Sequence, residues 1–202
     1  MALHYIITKD IIMGINLSKG GKIDLSKEAP GLENVVIGLG WDANASDTGA
    51  EFDLDASVFM LGENGKTKVD KDLVFYNNLT SPDGAVVHQG DNRTGEGDGD
   101  DESIEITLSK ISPDVKEMVF VVTIDDAEKR AQNFGQVTNA FIRLVDKTTG
   151  KEILKYELDE DYSAETAIEF GKLYRKDGSW RFGAVGSGFN AGLQGFVDKY
   201  VG

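Results

Sequence analysis

Cysteine is absent from the 202-residue chain. That excludes disulfides, thiolate metal sites and cysteine nucleophiles, and it fits a reducing compartment. Histidine is scarce: His4 and His88 are the only two. Neither stands beside a nucleophile and an orienting acid, so both read as surface or loop residues. With three prolines and no low-complexity stretch, no linker or domain boundary asserts itself. No apolar run approaches the length of a membrane span. The opening MALHYIITKDIIMG lacks the basic region and small-residue cleavage site of a secretory signal. Positive charge is also in deficit, 21 basic against 35 acidic side chains, for a net charge of −14. The excess argues against nucleic-acid phosphates or an anionic membrane as direct partners, and leaves cations and basic protein surfaces.

What is present is a β-rich globular pattern. The hydrophobic fraction, 40%, is ordinary, and the length suits one domain. Segments 35–41, 52–61, 103–109, 117–124, 137–145 and 152–158 are rich in β-branched or aromatic residues, alternate apolar with polar for most of their length, and are separated by glycine and Asp/Asn turns. KTTGK (147–151) predicts one hairpin. Lys176-Asp177-Gly178 predicts another, joining TAIEFGKLYR to SWRFGAV. The spacing predicts a mainly β protein, a β-sandwich of two mostly antiparallel sheets with a few short helices. One helix is expected near Asp126–Asn133 with Asp125 as N-cap. A second, near Ala191–Tyr200, carries Leu193, Phe196, Val197 and Tyr200 on one face and should close over the sandwich.

Chemistry concentrates in DNRTGEGDGDDE, residues 91–102. Six carboxylates this close repel one another strongly wherever the dielectric is low, so a compact loop of them calls for a cation. Glycines 95, 97 and 99 let the backbone curl and turn carbonyls inward. In FDLDAS, strand alternation puts Asp53 and Asp55 on the face opposite Phe52, Leu54 and Ala56. Calcium, which takes about 6–8 oxygens in a flexible shell, suits this donor set better than strictly octahedral magnesium. The number of charges favours two adjacent ions drawing on Asp53, Asp55, Asp91, Asn92, Glu96, Asp98, Asp100, Asp101 and Glu102. The loop is not an EF-hand, because Arg93, Gly95 and Glu96 occupy the third, fifth and sixth positions. A solvated acidic loop is the bland alternative.

INLSKGGKIDLSK (15–27), LGWD (39–42), FDLDASVFML (52–61), GDNRTGEGDGDDESIEI (90–106) and AIEFGKLYR…WRFGAVGSGF (167–189) together resemble the TerD family of bacterial tellurium-resistance and general-stress proteins. The resemblance runs from about Met13, so residues 13–202 read as a single domain and 1–12 as an N-terminal extension whose origin the sequence leaves open. It implies a cytoplasmic, non-enzymatic, calcium-binding stress protein. Its partners would be proteins, including a membrane-bound resistance complex. The ligand positions it implies are Asp53, Asp55, Asp91, Asn92, Thr94, Asp100, Asp101 and Glu102; Glu96 and Asp98 fall where the family motif is open. Two alternatives stand beside this reading: a metal-dependent hydrolase using the acidic cluster, and a scaffold with a purely stabilising metal. Tellurite itself, an oxyanion, is repelled by so negative a site, so a resistance phenotype would be indirect.

Three further stretches invite a functional reading. Asp125 and Asp126 suit helix capping better than cation contact. Asp24 either approaches the acidic site or starts a turn. GAVGSGFNAG (183–192) lacks the Lys-Ser/Thr of a phosphate loop and reads as tight packing before the last helix.

Overall fold

The computed structural model describes residues 14–42, 52–90, 99–158 and 162–202. The strands are β1 (Ile15–Leu17), β2 (Lys22–Asp24), β3 (Asn34–Gly40), β4 (Leu54–Leu61), β5 (Leu73–Val74), β6 (Val86–His88), β7 (Glu102–Thr107), β8 (Glu117–Ile124), β9 (Phe141–Asp146), β10 (Lys151–Glu157), β11 (Ala167–Lys176) and β12 (Ser179–Phe189). Three short helices join them: α1 (Leu25–Glu28), α2 (Ala127–Arg130) and α3 (Leu193–Tyr200). The first sheet runs β1-β10-β9-β3-β7-β6 and the second β2-β12-β11-β8-β4-β5. Their neighbours pair antiparallel except β1 with β10. The expected sandwich is therefore the fold.

Burial explains why β8 is apolar without interruption from Met118 to Val122. Met118, Phe120, Val122 and Ile124 face the space between the sheets, where they meet Val35, Ile37, Leu39, Ile104 and Ile106. Val119 and Val121 face the other way, onto a second cluster built with Phe59, Leu61, Phe196 and Tyr200. A strand covered on both faces has no polar side to show. Helix α3 provides that outer cover: Phe196 and Tyr200, one turn apart, are its buried residues, and Leu193 and Val197 flank them. Full burial of one such aromatic contributes about 1.5–3 kcal/mol. The Tyr200 hydroxyl donates to Glu169 Oε2 at 2.8 Å, and Lys199 Nζ reaches the same oxygen at 2.8 Å. Burial, this hydrogen bond and the Glu169 charge push the Tyr200 phenol above its ordinary pKa.

Both predicted hairpins form. Asp177 and Gly178 have φ of 52° and 77°, the doubly left-handed geometry that matches strand twist and that Asp-Gly tolerates. Two expectations need trimming. The strand expected over 137–145 begins only at Phe141, because Asn133 caps a 3₁₀ turn over Phe134–Gln136 and Asn139 turns left-handed at φ 54°. Helix α2 is also shorter than expected: Ala131, at φ 52°, ends it after one turn. Its N-cap is Asp126 rather than Asp125, and the Asp126 side chain pairs with Lys129 instead of capping. Asp24 starts a turn, capping α1 through the Ser26 N–H. Most of GAVGSGFNAG is strand β12, with a bulge at left-handed Gly186. Among the described residues, no helix is long and apolar enough to cross a membrane.

Candidate metal centre

The end of β3 and the start of β7 build one side of the acidic pole. Val35, Ile37 and Leu39 point into the core, which leaves Gly38 and Gly40 on the opposite face. Neither glycine has room for a side chain. A Cβ on Gly38 would collide with the Asp100 carboxylate, and one on Gly40 with the Phe141 ring and the Gly99 carbonyl. The IGLG sequence thus clears a floor on which Asp100 lies. Arg143 of β9 holds it there, Nε to Oδ1 at 2.7 Å, and extends to Glu152 of β10 at 3.3 Å. The hydrogen bond to Asp100 is the main cause raising the Arg143 pKa.

Asp101 faces a different neighbourhood. Its amide donates to the Leu39 carbonyl and its Oδ2 accepts from the Trp41 N–H at 2.9 Å. Burial, followed by repulsion from Asp100 and Asp42, holds its carboxyl above the usual range despite the Trp41 bond. Asp42 is fixed by its own amide, which donates to Thr138, and by the Asn139 side-chain amide, which donates to its carboxylate. Trp41, Asp42, Gly99, Asp101, Asn139 and Phe141 line an open cleft of about 540 Å³.

Glu102 opens β7 and is 2% exposed. Its Oε2 accepts from the Ala56 N–H at 2.6 Å, so one carboxylate of the first sheet satisfies a buried donor of the second. His88 lies beside it, buried, with Nε2 at 3.7 Å from Glu102 Oε2. The reading of this histidine as a surface or loop residue is therefore wrong. The Gly90 N–H donates to Nδ1 at 3.2 Å, so Nε2 is the ring nitrogen that faces Glu102. Alternating partners give the reason sequence missed it: Val86 and His88 both turn inward from β6.

Asp53 is 6% exposed. Its carbonyl accepts from the Asp125 N–H at 2.8 Å, and Arg130 Nη2 lies 3.8 Å from its carboxylate and 3.2 Å from that of Asp125. Asp55 sits half-buried on β4, opposite Thr123. The structure thus brings Asp100, Asp101 and Glu102 to the same end of the sandwich as Asp53 and Asp55, but on two sheets and with different neighbours. Among the described residues, no three Asp, Glu or His side chains form a group able to hold a metal. Asp91, Asn92, Thr94, Glu96 and Asp98, like His4, lie outside the described residues. Sequence reasoning passed over Asp42, Asn139, Arg130 and Arg143; LGWD carried the only signal for the first, and the others act through nonlocal pairing.

In kind, these donors suit a hard cation: they are oxygens, several buried, and the Asp101 carboxylate is repelled by those of Asp100 and Asp42. Residues 13–200 match the model of the TerD domain. The chain belongs to the TerD family. It is 56% identical over 188 residues to tellurium resistance protein TerD of Serratia marcescens, covering 93% of this chain and 97% of that one. It is 52% identical to general stress protein 16U of Bacillus subtilis (strain 168), with the same coverage. Among solved structures, a homologue of telluride resistance protein (TerD), SCO6318 from Streptomyces coelicolor A3(2), superposes with a TM-score of 0.66 at 24% identity. That likeness covers 82% of this chain and 95% of the other, and it concerns the fold.

Proposed function

We propose that this TerD-family protein is a cytoplasmic calcium-binding stress module, not an enzyme, which binds two adjacent ions at the acidic pole and contributes to tellurite resistance through protein partners. The observation that carries the reading is Asp101, a carboxylate kept partly from water and within repulsive reach of two others. Such a group weakens the fold when ionised alone, so it is costly to keep without a counter-ion. Bound calcium would neutralise this charge and draw the 91–102 segment toward Asp53, Asp55 and Asp101. The chain's own residues prepare for it. Trp41 N–H orients Asp101, Arg143 seats Asp100 on the glycine floor, and the Ala56 amide fixes Glu102. Partner recognition would then depend on the calcium-loaded pole.

A calorimetric titration of calcium into chelator-stripped protein, with magnesium in parallel, tests the reading. Two calcium-selective binding events, with a rise in melting temperature, are expected. At a hundredfold excess over the dissociation constant the added stability is ~2.7 kcal/mol for each ion. At ~2–4 °C per kcal/mol for a chain of this size, that is a shift of roughly 5–11 °C per ion. The absence of heat and of any shift would remove calcium from the function.

A further inference from the structure

At the end of the second sheet far from the acidic pole, the charge changes sign. Strand β8 runs from Glu117 at this end to Ile124 beside Leu54, about 23 Å at 3.3 Å per residue. Here Lys22, Lys27, Lys172, Lys176 and Arg181 surround one open pocket of about 390 Å³, with Tyr174 and Asp24. The register shows how they meet. Lys22, Gly183 and Lys172 form one cross-strand row, and Asp24, Arg181, Tyr174 and Glu117 form the next. The first row converges on Gly183. The stems of Lys22 and Lys172 and the Tyr174 ring all come within 4 Å of where its Cβ would be.

These cations are not all neutralised by the protein. Arg181 is shared between Asp177 at 3.3 Å and Asp24 at 3.5 Å, and Lys172 pairs with Glu117 at 2.9 Å. Among the described residues Lys22, Lys27 and Lys176 make no direct ion pair, although the Lys27 charge acts on Asp24. Counting all three of those carboxylates still leaves two positive charges in excess, on a chain whose net charge is −14. An excess of two positive charges around a small concavity calls for an anion with more than one charge. A single carboxylate leaves them unsatisfied, whereas a phosphoryl group or a pyrophosphate, with several acceptor oxygens, matches ammonium point charges. An extended nucleic-acid backbone would meet the repulsion of the rest of the molecule.

We infer that this pocket binds a small ligand carrying a multiply charged phosphate group, at a site separate from the acidic pole. Calorimetric titration of inorganic pyrophosphate tests this, in calcium-free buffer because pyrophosphate chelates calcium. Saturable one-site binding that weakens with salt is expected. Replacing the unpaired cations, as Lys22→Gln with Lys27→Gln and Lys176→Gln, should weaken it by about tenfold or more, at the modest worth of each exposed pair. The same variant should keep its wild-type melting temperature and calcium titration, so the failure of either proposal is distinguishable from the failure of the other. Equal binding by the triple variant would overturn the inference, as would no binding by the wild type. Lysine-dependent binding to phosphatidylglycerol vesicles without pyrophosphate binding would overturn it in favour of a membrane headgroup.

Discussion

Two substitutions separate function from fold at single residues. Asp101→Asn keeps an oxygen for the Trp41 N–H while removing the charge that Asp100 and Asp42 oppose. A carboxyl held above its unfolded pKa gains stability as pH falls through the folded value and loses it as pH rises past it. The calcium-free Asp101→Asn protein should therefore melt higher than wild type at neutral pH, and the two should converge in acid. Its calcium-induced shift should shrink; a thermal scan with and without calcium reads both effects. Gly38→Ala should act through Asp100, whose carboxylate occupies the space of the new methyl. Displacing it costs the Arg143 pair, about 0.2–1 kcal/mol for a partly exposed contact. In an Asp100→Ala background the same change should be close to neutral, and a double-mutant cycle by denaturant unfolding measures the difference. A third residue sets the acid limit at the far end. Asp83 is burdened by desolvation, but donors from Ser81, Ser112 and Ala85 outweigh it and hold its carboxyl below the usual range. Its contribution is therefore present above the unfolded pKa and lost as pH falls through the lower folded value. The melting-temperature gap between wild type and Asp83→Asn should be full at neutral pH and close below about pH 4.

Among the elements, α3 has the clearest job: it covers the outer face of β8 and β4, where Phe59, Leu61, Val119 and Val121 would otherwise meet water. Phe196→Ala should cost about 3–5 kcal/mol, seen as a melting-temperature drop of roughly 10 °C. This helix was legible from its i, i+4 aromatic pair, and β8 from its largely apolar run, whose ends match at Glu117 and Ile124. The Asp177-Gly178 hairpin was legible because the turn demands residues that accept positive φ. The sheet order was not legible, since β3 lies between β9 and β7 through pairings far apart in sequence. The site shows the same division. Alternation marked Asp53, just ahead of β4, and Asp55, on it, as neighbours, yet could not show that Arg143 and Arg130, from other elements, take up part of the acidic charge. Nor could it show the buried His88, which three residues of β6 carry into the core.

For the whole molecule, uneven charge is the leading property. Asp101 and Asp42 line a cleft at one end of the sandwich and Lys22, Lys27, Lys172 and Lys176 a pocket at the other, so calcium and a polyanion should act on different parts of it. The edges of the two sheets carry another consequence. Strand β1 joins the first sheet by pairing Ile15 with Leu154, and β2 joins the second by pairing Ile23 with Phe182. The first two strands among the described residues thus depend on partners made more than 130 residues later. At ~5–20 residues per second, a nascent chain exposes them unpaired for on the order of ten seconds before the ribosome supplies their neighbours.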